Sequence, residues 1–135
     1  MAEALQFDLV SPERLLMSEP VESVTVPGAD GYFTVLINHA PFMTTLKPGV
    51  VDVHSESGDV QRIYVRGGFA DVSSTGLTLL AEEAITLADV DADDLAQTIQ
   101  NVREDIADTD DAEKKAKAES HLADLLDVQK ALSSI

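Results

Sequence analysis

Four aspartates within a short stretch, Asp89, Asp91, Asp93 and Asp94, are the side chains of this sequence whose type and spacing first point to chemistry. Carboxylates at the first, third and fifth places of a loop are how calcium is held between two helices. The rest of the loop breaks that pattern. Its sixth place needs Gly and is Asp94, and its twelfth needs Glu and is Gln100. The run reads instead as the start of a helix, where the dipole favours negative charge. His39, His54 and His121 fall in a loop, a strand and a helix, without the HxH or HExxH spacing that would argue for zinc. Gly67 and Gly68 follow a strand but lead into another strand, so no helix N-terminus is offered to a phosphate. Glu82 and Glu83 are adjacent in a predicted strand and point to opposite faces, which excludes a facing acid–base pair. No nucleophile stands with a partnered base, and there is no cysteine. The residues therefore predict a protein that binds rather than catalyses, with no cofactor and no metal.

The elements that position these side chains fall into two kinds. Residues 26–51, VPGADGYFTVLINHAPFMTTLKPGVV, form the most distinctive stretch. Apolar side chains at Tyr32, Phe33, Val35, Leu36 and Ile37 occupy both alternating sets, the pattern of a strand covered on both sides. Pro41 then holds Ala40 out of helical geometry and places Phe42 and Met43 beside a bend. Core packing and surface contact are both open to those two side chains. Around this stretch, QFDLV at 6–10, a second element near Leu15–Met17, VESVTV closed by Pro27-Gly28, VVDVHS, VQRIYVRGGFADV and LTLLAEEAITL read as strands separated by turn residues. In the last of these, Leu77, Leu79 and Ala81 share one face. Eight to ten short strands at this spacing predict an antiparallel β-sandwich or flattened barrel over residues 1–88.

Past Leu87 the period lengthens to that of a helix. Leu95, Ile99, Val102 and Ile106 make one narrow seam, with Asp91 placed to cap it. The DTDD run at 108–111 interrupts it, and a second helix is expected with Asp110 as cap and Glu113 completing a capping box. That helix carries Ala118, Leu122, Leu125, Leu126 and Leu132 on one face. Residues 89–135 are thus predicted to form an antiparallel two-helix hairpin, a movable element whose two seams satisfy each other.

Bulk properties narrow the partners. A formal charge of -16 over 135 residues excludes nucleic acid and direct adsorption to an anionic membrane. No run of ~18 apolar residues predicts a transmembrane helix, and MAEALQFDLV lacks the layout of a signal peptide. The expectation is a soluble, intracellular chain that reaches any membrane through another protein. Trp is absent, so stacking platforms for sugars or bases are scarce.

Three segments taken together carry a resemblance: FDLVSPERLL at 7–16, GADGYFTVLINHAPFMTTLKPGVV at 28–51 and VRGGFADVSSTGLTLLAEEAITL at 65–87. In this order they resemble the epsilon subunit of the bacterial F-type ATP synthase, equivalent to the delta subunit of the mitochondrial enzyme. The resemblance implies a non-catalytic rotor subunit of a proton-translocating synthase, with the gamma subunit and the c ring as partners. It implies a peripheral place on the cytoplasmic face of the bacterial inner membrane. By motif position it assigns Tyr32, Phe33, His39, Pro41, Phe42 and Met43 to the end nearest the c ring, with Val35 and Ile37 holding the core behind them. Thr34 and Ile37 stand where relatives commonly carry Gly and Pro. In the family the hairpin can reach the alpha and beta subunits and restrain hydrolysis through basic side chains on its second helix. Here Lys114, Lys115 and Lys117 crowd the start of that helix and only Lys130 lies near its end. Some members bind ATP through an Arg on the first helix and an Arg pair on the second. DADDLAQTIQ has no Arg at the matching place and the second helix has none, so ATP binding is expected to be weak or absent. The competing reading is a free-standing sandwich that acts as an adaptor for a protein partner.

Overall fold

A computed structural model describes residues 4–133. The chain separates into two compact units, Met1–Ala88 and Asp89–Ile135. The first is an eight-stranded β-sandwich: β1 (Leu5–Val10), β2 (Leu15–Val21), β3 (Ser23–Gly28), β4 (Gly31–Val35), β5 (Phe42–Thr45), β6 (Gly49–His54), β7 (Val60–Val72) and β8 (Gly76–Thr86). The strands form one continuous sheet in the order β2-β1-β8-β7-β6-β3-β4, with β5 branching from β7. Every pair is antiparallel except β1 with β8, which run parallel.

The two longest strands make the sandwich by belonging to both layers. Residues 60–65 of β7 pair with β6, whereas residues 69–72 pair with β5. Residues 76–80 of β8 pair with β1, while β8 follows β7 along nearly its whole length. One layer therefore reads β2, β1, the start of β8, the end of β7 and β5. The other reads the end of β8, the start of β7, β6, β3 and β4. Between them lies the core, built on Leu5, Phe7, Leu9, Val24, Val26, Val35, Val51, Val53, Ile63, Val65, Leu77 and Leu79. The sheet does not close, because β2 and β4 remain as its ends.

Gly67 and Gly68 sit where β7 passes from one layer to the other, with φ of 71° and 96°. A Cβ on Gly68 would overlap the Leu80 carbonyl, so glycine is required there by space as well as by backbone. A Cβ on Gly67 would meet only the Glu82 side chain, which can move.

The run at Tyr32–Ile37 departs from expectation. It is not a strand covered on both sides, because β4 is an edge: of its residues only Val35 is fully buried, and Ile37 lies beyond it, half-buried and outside the core cluster. Pro27 does not close β3 but continues it, past the Ser23–Thr25 stretch that pairs with β6, and its carbonyl accepts the Lys47 N–H at 2.9 Å.

A short 3-10 turn at Leu87–Asp89 precedes α1 (Ala92–Asp108) and α2 (Ala112–Ser133), which pack against each other as a hairpin. Asp91 caps α1, its carboxylate accepting the N–H groups of Asp93 and Asp94. This use accounts for the acidic cluster that resembled a calcium loop. Leu95, Ile99 and Val102 are buried along α1, and Ile106 is half-buried. On α2 the expected cap is displaced by one residue. Asp111, not Asp110, accepts from Glu113 N at 2.9 Å and Lys114 N at 3.3 Å, because the helix begins at Ala112; Glu113 then falls one place short of the capping-box position. The buried side chains of α2 are Val128 and Ala131, while Ala118, Leu122, Leu125, Leu126 and Leu132 are half-buried.

Gly68→Ala should cost about 3 kcal/mol or more, combining left-handed strain with a backbone collision. Gly58→Ala, equally left-handed at φ 94° but with open space around it, should cost only about 1 kcal/mol. Urea unfolding of the two variants measures the difference. A second expectation concerns acid. Ser18 Oγ donates to Asp8 Oδ1 at 2.6 Å and Gln6 Nε2 at 3.1 Å, and these two bonds, Ser18 foremost, hold the Asp8 carboxyl below its ordinary value. A depressed folded value means stabilisation that is present above the ordinary carboxylate range and lost as pH falls through the folded value. The stability gap between the native chain and Asp8→Asn should accordingly narrow with acidification in pH-dependent melts.

Candidate partner interface

The chain crosses between layers at one end of the sandwich, and the crossing loop assembles the site. β3 and β4 are joined by the two-residue turn Ala29-Asp30, and Ala29 N–H donates to Thr44 Oγ1 of β5 at 3.3 Å. From Val35 the chain leaves β4, turns at Asn38, and enters β5 at Phe42. Asn38 adopts φ 68°, so it supplies the left-handed residue of this turn, and its N–H donates to the Ser74 carbonyl at 2.7 Å. His39 N–H returns to the Leu36 carbonyl at 3.2 Å. These bonds fix a loop that has no regular structure of its own.

Three rings meet over the loop. Phe33 and Phe42 pack edge to face, with centroids 5.3 Å apart and planes at 89°. The His39 ring lies 6.5 Å from Phe33. Its Nδ1 is 2.7 Å from the Ala40 carbonyl. A carbonyl only accepts, so this nitrogen carries the proton and Nε2 is left as the free ring position. Phe33 packs on the core cluster, whereas Phe42 keeps 44% of its surface exposed. Pro41, next to Phe42 in the chain, is exposed. A recess of about 170 Å³ opens beside the pair, lined by Gly28, Asp30, Gly31, Tyr32, Phe33, Phe42 and Thr44.

Tyr32 and Met43 do not join this cluster. Strand alternation turns Tyr32 away from Phe33 onto the outer face of β4, where it is 60% exposed. Its hydroxyl accepts the Val50 N–H at 3.2 Å, and the ring crosses Gly49, where a Cβ would collide with the phenolic oxygen. Met43 alternates away from Phe42 in the same manner. It stands opposite Asp71 on the outer face of the other layer and is 63% exposed. The six residues singled out by sequence thus occupy one end of the sandwich, with Phe33, His39 and Phe42 gathered at its centre and Tyr32 and Met43 on opposite outer faces.

The family description "ATP synthase, Delta/Epsilon chain, beta-sandwich domain" matches residues 4–87. This chain belongs to that family. An ATP synthase epsilon chain from Mesorhizobium japonicum is 54% identical over 132 residues, 98% of each chain. Another from Parvibaculum lavamentivorans is 49% identical over 118 residues, 87% of this chain and 89% of the relative. Among solved structures, a chain in the Euglena gracilis mitochondrial ATP synthase superposes with a TM-score of 0.74 at 24% identity, covering 99% of this chain and 82% of that one. A chain in the Tetrahymena thermophila central stalk and c-ring structure gives 0.63 at 16% identity, covering 96% and 97%. The family resemblance read from the three sequence segments is therefore correct, and the delta/epsilon sandwich is the fold that carries the site.

Two further apolar side chains, not among the six singled out by sequence, are exposed near these residues. Leu36, beside the His39 turn, is half-exposed, and Phe69, paired with Thr45 and diagonal to Met43, is partly exposed. The parity of VRGGFADV placed Phe69 opposite Ala70, which is buried, and that alternation was the available signal. Among the described residues no helix is long and apolar enough to cross a membrane, and no three His, Cys, Asp or Glu side chains are grouped to hold a metal. Phe33→Ala should lower stability by about 2–4 kcal/mol through loss of packing. Met43→Asp should leave it within about 0.5 kcal/mol. Thermal melts of the isolated protein distinguish the two.

Proposed function

We propose that this epsilon chain is a non-catalytic rotor subunit of a proton-translocating F-type ATP synthase, coupling the gamma subunit to the c ring. The observation that carries the reading is the near full-length likeness to bacterial epsilon chains, joined to a sandwich whose loop end displays exposed apolar side chains. Torque transmission needs a body that does not shear, and two layers sharing β7 and β8 meet that need. On this reading Tyr32, Phe33, His39, Pro41, Phe42 and Met43 belong to the face that meets the c ring and gamma. The complex would place the chain peripherally on the cytoplasmic face of the bacterial inner membrane. Residues 1–88 form the coupling domain and residues 89–135 a regulatory hairpin that meets the alpha and beta subunits.

The hairpin's chemistry makes it a weak brake and a poor nucleotide site. α2 contains no Arg, and the basic side chains at its start are offset by Glu113, Glu119, Asp124 and Asp127 along its length. Calorimetry on the isolated chain should show no micromolar ATP site. A protein ending at Leu87 should still assemble with gamma and support synthesis, with only a modest rise in hydrolysis. The deciding experiment is purification of the tagged chain from membrane extract. Recovery of alpha, beta and gamma supports the rotor reading, and recovery of an unrelated partner instead would establish an adaptor. Met43→Asp, folded by its melt, should be lost from the purified complex.

A further inference from the structure

The charges at the hairpin tip are placed against both of the helices that carry them. α1 ends with Glu104, Asp105 and Asp108 and has no basic side chain in its last turn, although the negative end of a helix dipole favours cations. Glu104 and Asp108 are four residues apart and Asp105 and Asp108 three, so like charges are neighbours on one surface. α2 begins with Lys114, Lys115 and Lys117 at its positive end, where Glu113 lies 3.7 Å from Lys117 and the Asp111 carboxylate caps the first turn. Across the tip the arrangement is reversed in sign. Asp105, Asp108, Thr109, Lys114 and Ala118 line one cleft of about 420 Å³, which brings the acidic end of α1 to the same cleft as Lys114 of α2. Apolar packing is thin there: from residue 103 to residue 127 no side chain is fully buried, and Ile106, Ala118, Leu122, Leu125 and Leu126 are half-buried.

We propose that the tip is an electrostatic latch, in which the acidic end of α1 and Lys114 at the start of α2 attract each other across the cleft and so favour the closed hairpin over either helix alone. The inference does not depend on the rotor reading. It predicts a hairpin whose tip opens before its base, because Leu95, Ile99, Val102, Val128 and Ala131 are buried nearer the base. It also predicts that opening is promoted by salt, since exposed charges are screened.

The test is amide hydrogen exchange on the full chain, comparing residues 104–118 with the sandwich strands as an internal reference. Asp105→Lys with Asp108→Lys improves the dipole match of α1 and lowers the overall negative charge. Helix propensity and net repulsion therefore both predict slower exchange at the tip, whereas the latch predicts exchange about threefold faster. Adding Lys114→Glu to that variant should return exchange towards the native rate, and high salt should speed the native tip. Slower or unchanged exchange in the first variant, or failure of the combined reversal to recover it, overturns the latch.

Discussion

The passage of β7 from one layer to the other at Gly67 and Gly68 is the constraint on which the rest of the sandwich depends. Before it, β7 holds β6, and through β6 the strands β3 and β4. After it, β7 holds β5, and β8 holds β1 and β2. A strand that kept its course would leave two half-sheets with no common backbone. The turn is possible because the chain supplies two residues without a Cβ at the point where β7 passes closest to β8, against the Leu80 carbonyl. The interlayer core cluster is wholly apolar; Tyr64, which is buried together with its hydroxyl, lies outside that cluster.

The loop end inherits its order from that framework. β5 is only four residues long and pairs with β7 alone among the named strands, and the Gly28 bridge to Leu46 and the Lys47 bond to Pro27 return the chain to the other layer. Phe42 is thus fixed by its register opposite Val72, and Met43 by its register opposite Asp71. One residue of slip would exchange the two and bury the thioether while exposing the ring's packed side. Register, more than local propensity, decides which side chains this end presents.

Much of this was legible in sequence, for identifiable reasons. Alternation in LTLLA put Leu77, Leu79 and Ala81 on one face, and all three are buried. Asp91 before an apolar seam marked the α1 cap. The errors have physical causes as well. The run at Tyr32–Ile37 suggests a strand covered on both sides because a buried central strand and an edge serving an exposed apolar end have the same composition. Only pairing distinguishes them, and β4 has one neighbour. In DTDD two adjacent aspartates offer equivalent caps, and the helix start at Ala112 chooses Asp111. On α2 the predicted stripe ran through Leu122, Leu125 and Leu132, whereas burial settles on Val128 and Ala131. A helix with apolar side chains on several faces does not announce which one its neighbour will cover. The two-face divergence of Tyr32 and Met43 followed from strand parity, but whether those faces were exposed did not.

What remains is why this end of a strongly acidic protein suits stable contact. With a charge of -16 the long-range field opposes most acidic surfaces, so firm association must draw on short-range apolar contact. Apolar contact is efficient when its side chains are already ordered, because binding then loses less conformational freedom. Phe42 rests edge-on against Phe33, Tyr32 is tied to the Val50 amide, and His39 is held by its own loop. Their ordering is completed on folding. Met43 is the exception, an unbranched and exposed thioether side chain. Ordered aromatic side chains on one side and one adaptable thioether on the other are a combination that keeps register on a surface while tolerating small changes in it.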